Sequence, residues 1–197
     1  SMLKYFLSNE NGEENKKLFD ETNIVNAFTE DGQSCMDFQG KYPVIFISLK
    51  RIRNIPTYIL AYQRISTIVS DMYKEHRYLL KSDLLYEDEK HLYQKIIDEE
   101  SSISQLQDSL KNLTEYLHRY YKIKPIILMD EYDSPFHCSY TAKNKYYEEM
   151  LSFMGGFLGE AFKGNEHLYK GVLTGILRVS LMNLFSGTNN IPVYSVL

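Results

Sequence analysis

A segment near the middle of the chain constrains the fold most, because it is an apolar run that ends in carboxylates. Its sequence is KPIILMDEYD, residues 124–133. The continuous apolar stretch predicts a strand buried on both faces, with Asp130 and Glu131 at its carboxyl end. In open parallel sheets, ligands bind at that end of the strands. The alternative is a buried strand followed by an acidic surface turn without chemistry, since short motifs also occur by chance.

Two further segments are predicted strands, the first of them buried and the second short. They cover residues 44–49 and 169–174. Long stretches with helical periodicity lie around them, at residues 57–81, 101–121 and 143–163. Strands separated by long helices predict βαβ crossovers and a mainly parallel sheet. The fold class is therefore α/β with three layers, and residues 1–197 form a single domain of this kind.

The remaining local predictions concern helix starts and shorter elements. The clearest helix, 101–121, carries one apolar face, and either Ser101 or Ser102 caps it. Shorter helices are expected at residues 1–7, around 18–28, and within 82–100, where a loop completes the segment. Ser134-Pro135 is expected to break the chain after the acidic strand end.

Composition excludes several classes of protein. The chain has a net charge of −4, so no global basic field indicates nucleic-acid binding, and we expect none for this segment. Its two cysteines, Cys35 and Cys138, are far apart, and its five histidines form no metal-binding spacing. No apolar run is long enough to cross a membrane and no signal peptide opens the chain, which favours a cytoplasmic location.

A small basic group follows the first predicted strand. Lys50, Arg51 and Arg53 lie at its exit, where their charges would attract phosphate. The interpretation we favour is a solvated loop, because charged residues after a strand usually face water.

Several blocks of the sequence together resemble the bacterial AAA-ATPase-like family. They are KYPVIFISLK (41–50), KPIILMDEYDSP (124–135), YKGVLTGILRVS (169–180) and FSGTNN (185–190). The apolar run followed by Asp-Glu has the Walker B form of a P-loop NTPase. The resemblance implies a P-loop NTPase-like core that uses ATP and Mg²⁺. It also implies a larger protein that often carries a C-terminal nuclease-like domain of the PD-(D/E)xK type.

The chain departs from this family at the phosphate-binding motif. No GxxxxGK[ST] occurs in the sequence, and residues 1–7 resemble the helix that normally leaves the P-loop. The domain is therefore expected to be truncated before its first strand and P-loop. Because the P-loop supplies the amide cradle and the lysine for phosphate, we expect the chain alone to bind ATP weakly or not at all.

Residue roles follow from the resemblance. Asp130 would hold Mg²⁺ through water, and Glu131 would orient or activate the hydrolytic water. Thr174 would occupy a sensor position near the γ-phosphate. Arg178 would contact phosphate or a neighbouring subunit, or alternatively form a salt bridge to a nearby acid. Leu181 stands where family members tend to have a lysine, so any role of that lysine is in doubt.

The resemblance also predicts topology and two competing functions. The Walker B strand, 124–129, would be central, and strand 169–174 would form an edge where the missing first strand belongs. Because unpaired edges promote association, residues 191–197, the N-terminal segment or a second molecule should cover it. The chain is then either the ATPase module of a larger protein or an interaction module that keeps the fold without catalysis.

Overall fold

The computed structural model describes residues 1–176, which form a mixed α/β fold around a three-stranded parallel sheet. Strand β1 is Val44–Ser48, β2 is Ile126–Asp130 and β3 is Lys170–Leu173. The order is β1-β2-β3, so the acidic strand is central, as the sequence predicts. Both neighbours pair with it in parallel, which requires the crossover connections inferred from the helical stretches.

The helices agree with most of the expected segments, with corrections at their ends. They are α1 (Met2–Leu7), α2 (Gly12–Lys16), α3 (Tyr58–Glu75), α4 (Glu87–Ile97), α5 (Ile103–Tyr121), α6 (Ser134–Thr141) and α7 (Tyr147–Phe162). The helix expected over 57–81 ends at Glu75, and a 3₁₀ helix, Arg77–Lys81, follows it. The short helix expected around 18–28 is wrong, because only a 3₁₀ turn at Asn23–Asn26 forms there.

The expected chain break at Ser134-Pro135 is also wrong, because α6 begins at Ser134. Proline is compatible with the first turn of a helix, where its missing N–H leaves no hydrogen bond unmade. Helix α5 begins after Ser102, whose hydroxyl accepts the Gln105 N–H while the Gln105 side chain accepts the Ser102 N–H. This reciprocal capping box confirms Ser102 among the two candidate caps.

The central strand β2 and most of β1 are buried, which explains their apolar sequences, whereas β3 is only half-buried and begins at the exposed Lys170. Ile45, Ile47, Ile127 and Met129 belong to the main core, shared with α3, α5 and α7. Val44, Ile126 and Leu128 form a second cluster on the other face, against Leu7 of α1. The arrangement gives the three layers that the sequence predicts.

None of the helices in residues 1–176 is both long and apolar enough to cross a membrane. The residues expected to cover the outer edge of β3 include 191–197, which lie outside the described range, so that expectation stays a prediction.

Candidate functional site

The carboxyl ends of the three strands place polar side chains at one level of the sheet. Ser48 at the end of β1 pairs in register with Asp130 at the end of β2. Thr174 follows β3 at the same level, since Leu173 pairs with Met129. Its N–H donates to the Met129 carbonyl at 2.9 Å. A hydroxyl, a carboxylate and a second hydroxyl therefore lie in a row across the sheet.

Asp130 and Thr174 are in direct contact. The Thr174 hydroxyl donates to Oδ1 of Asp130 at 2.6 Å, which leaves Oδ2 for another partner. Both residues were predicted from the sequence to belong to one site, and the structure brings them together. A cavity of about 210 Å³ opens beside them and is lined by Ser1, Leu3, Phe46, Leu128, Met129, Asp130, Val172 and Thr174.

Glu131 is held outside this cavity. Its carboxylate accepts two hydrogen bonds from one guanidinium nitrogen of Arg53, at 2.7 and 3.0 Å, and one from the Ser134 hydroxyl at 3.1 Å. The hydrogen bond from Arg53 holds the pKa of the Glu131 carboxyl below its ordinary value, and that from Ser134 acts in the same direction. The same bond raises the pKa of Arg53. Glu131 is therefore an ionised, occupied carboxylate in this conformation.

The backbone explains why neighbouring acids point to different partners. Glu131 has φ +52°, in the left-handed region that non-glycine residues seldom adopt. This sharp turn directly after β2 takes the chain into α6 and directs the Glu131 side chain toward the Arg53 loop. Asp130, one residue earlier, is still part of the strand and faces the cavity.

Asp133 has a structural role at the same end of the sheet. It occupies the residue before α6, but its side chain makes no capping hydrogen bond with that helix. Its Oδ2 instead accepts the Ile176 N–H at 2.9 Å, so it fastens the segment that leaves β3. A Cβ atom on Gly175 would lie 2.7 Å from Oδ1 of Asp133, so only glycine fits there without a shift.

Sequence reasoning missed two residues of this site. Arg53 was assigned to a solvated loop; its side chain is 65% exposed, yet it pairs with Glu131. The only indication of this contact in the sequence was that Arg53 follows β1, the strand that neighbours the acidic strand β2. Ser48 is the single polar residue within β1, and its hydroxyl oxygen is buried without a hydrogen-bond partner in the described part of the chain. Register alone would have placed it beside Asp130.

Other predicted site features lie outside the site or outside the described residues. Arg178 and Leu181 lie beyond residue 176, so their predicted roles stay predictions. Within residues 1–176 there is no group of three or more His, Cys, Asp or Glu side chains that could hold a metal ion.

Comparison with known proteins identifies a family for this chain. A family model, AAA-ATPase-like, described as "Predicted AAA-ATPase", matches residues 1–185. Searches of curated proteins and of solved structures gave no match.

Proposed function

The chain belongs to the AAA-ATPase-like family, and from that premise we propose that it forms the acidic and sensor side of an ATP hydrolysis site. The observation that carries this proposal is the Thr174–Asp130 hydrogen bond beside a cavity that Ser1 also lines. A carboxylate and a hydroxyl are oxygen ligands of the kind that Mg²⁺ and its bound waters prefer.

The proposed roles divide between the two neighbouring acids. Asp130 would hold Mg²⁺ through its free oxygen or through water, while Thr174 fixes the carboxylate orientation and senses the γ-phosphate. Glu131 would orient the hydrolytic water. Its carboxylate would first have to release the hydrogen bonds from Arg53 and then accept one from that water. Mg²⁺ would supply charge neutralisation of the phosphates when nucleotide is bound. Arg178 keeps its proposed role as a phosphate or subunit contact.

The phosphate-binding turn is proposed to precede Ser1. Helix α1 packs against the sheet face that carries Val44, Ile126 and Leu128, and Ser1 lines the same cavity as Asp130. A turn joined to Ser1 would thus be delivered opposite the acid, as in P-loop NTPases. The chain as given is then expected to bind ATP weakly or not at all.

Calorimetry of Mg-ATP binding on two proteins tests this proposal. One is the 197-residue chain, and the other is extended upstream in its gene by about a βα unit, roughly 30 residues or more. The proposal expects binding by the extended protein alone, with turnover blocked by Asp130→Asn combined with Glu131→Gln.

Two outcomes would count against it. Micromolar binding by the short chain would contradict the need for an upstream turn. If neither protein binds, the acids are structural, and the interaction-module alternative is the better account.

A further inference from the structure

All three strands are entered through segments that carry lysine. These segments are Lys41-Tyr42-Pro43 before β1, Lys122-Ile123-Lys124-Pro125 before β2, and Leu168-Tyr169-Lys170 at the start of β3. Because the strands are parallel and in register, their entries lie side by side at one end of the sheet. That end is opposite the one where Asp130 lies. We call the surface formed by Lys41, Lys122, Lys124 and Lys170 with Tyr42 and Tyr169 the lysine edge.

The four lysines of this edge are not neutralised by nearby acids. All four are exposed, and none forms an ion pair or side-chain hydrogen bond with another residue in the range 1–176. Carboxylates do lie near this end of the sheet, namely Glu166 in the loop before β3 and Glu10, Glu13 and Glu14 in the segment that contacts Gly40 and Tyr42, but none of them pairs with these lysines. A chain with a net charge of −4 therefore concentrates unpaired positive charge on one end of its sheet.

A histidine pair lies beside the edge and responds to the lysine charges. Nδ1 of His118 lies 3.0 Å from Nδ1 of His167, between the end of α5 and the loop before β3. Burial lowers the pKa of His118, and the charges of His167, Lys124 and Lys122 lower it further. Lys122 and Lys124 therefore lie close enough to His118 for their charges to act on it.

An aromatic surface lies between the lysines. The rings of Tyr42 and Tyr169 stack with their centroids 5.0 Å apart and an interplanar angle of 15°. The Tyr169 N–H donates to the Pro125 carbonyl at 2.9 Å, which fixes the pair across the start of β2. Tyr169 remains 50% exposed. Proteins that bind single-stranded nucleic acids use this arrangement. A partly exposed aromatic ring stacks on a base, and unpaired lysines around it contact the phosphates.

Although the net charge of the chain gave no expectation of nucleic-acid binding, this local cluster leads us to propose that the lysine edge binds single-stranded nucleic acid, with backbone phosphates on the lysines and a base on Tyr169. The overall acidic charge does not oppose this, because charges farther apart than about 8 Å are largely screened at physiological salt. A duplex fits less well, because this edge presents strand ends and no helix that could enter a major groove. The inference is independent of the proposed ATPase function, since it concerns the other end of the sheet.

The test is fluorescence anisotropy with labelled oligo-dT and oligo-U of about 20 nucleotides, titrated with this chain between about 50 and 200 mM salt. Four lysine–phosphate contacts predict a slope of log affinity against log salt of about −2 to −3 for a single strand. The double variant Lys124→Gln with Lys170→Gln should weaken binding at least about tenfold, and Tyr169→Ala about fivefold or more.

The matched control removes the same charge elsewhere. Lys143→Gln with Lys145→Gln changes two exposed lysines of the loop between α6 and α7 and should leave affinity nearly unchanged. The inference is overturned if the oligonucleotides do not bind at the lowest salt, or if the control variant loses as much affinity as the edge variant. It is also overturned if vesicles rich in phosphatidylserine, and no oligonucleotide, bind through Lys124 and Lys170. Thermal unfolding of each variant confirms that it is folded.

Discussion

Replacing Glu131 by glycine should stabilise the protein relative to replacing it by alanine, although both changes remove the same carboxylate. Glu131 has φ +52°. A side chain with a Cβ costs about 1–2 kcal/mol in this conformation. Glycine removes that cost but loses about 0.5–1 kcal/mol through the greater freedom of the unfolded chain. The Gly variant should therefore be more stable than the Ala variant by about 0.5–1 kcal/mol.

Urea or thermal unfolding of the two variants measures this difference. For a chain of this size it corresponds to about 1 to 4 °C in Tm. Both variants lose the contacts with Arg53 and Ser134, so these contacts cancel in the comparison. Equal stability, or a more stable Ala variant, would refute the argument that Glu131 is held in a strained conformation.

Two matched positions serve as controls. At Lys122, where φ is +58°, glycine should again be more stable than alanine. At Ser152, exposed within α7, glycine should be less stable than alanine by about 1 kcal/mol, because helix interiors disfavour glycine. Opposite signs at the two positions would show that the assay reports backbone conformation.

Three shorter predictions follow. Arg53→Ala should raise the pKa of Glu131, followed by NMR titration, because it removes the hydrogen bond that lowers this pKa, and should change stability little because the Arg53 side chain is largely exposed; an unchanged pKa would contradict the contact. The pKa of Glu131 is lower in the folded protein than in the unfolded chain. The contribution of the Arg53–Glu131 pair to the free energy of unfolding is therefore fully present above the unfolded pKa of Glu131, and it is lost as the pH falls through the folded pKa. Ser102→Ala removes the α5 cap and should lower the free energy of unfolding by about 1 kcal/mol in urea; no change would contradict the capping box. Gly175→Ala forces a Cβ to within 2.7 Å of Asp133 Oδ1 and should lower the Tm, whereas an unchanged Tm would contradict the tight packing there.

The fold was largely predictable because its signals are local and repeated. Apolar runs indicated two buried strands and a third short strand, and long periodic stretches between them required parallel pairing. The central position of 126–130 came from the family resemblance. The contact between Asp130 and Thr174 was predictable in kind, because residues at the carboxyl ends of neighbouring parallel strands meet.

The Arg53–Glu131 contact was not predictable in the same way. It depends on a left-handed turn at Glu131 and on the approach of a loop 78 residues earlier in the chain. Neither leaves a periodic signal, because loop charges occur wherever a chain faces water. The start of α6 was missed for a different reason: Ser134-Pro135 is compatible both with a turn and with a first helical turn.

The most direct test of the proposed site is the Mg²⁺ dependence of ATP binding by the upstream-extended protein, measured with and without Asp130→Asn. The account predicts that Mg²⁺ strengthens ATP binding in the parent protein and that Asp130→Asn abolishes this increment while leaving metal-free binding nearly unchanged. An increment that persists in Asp130→Asn would contradict the assignment of Asp130 as the magnesium-binding acid.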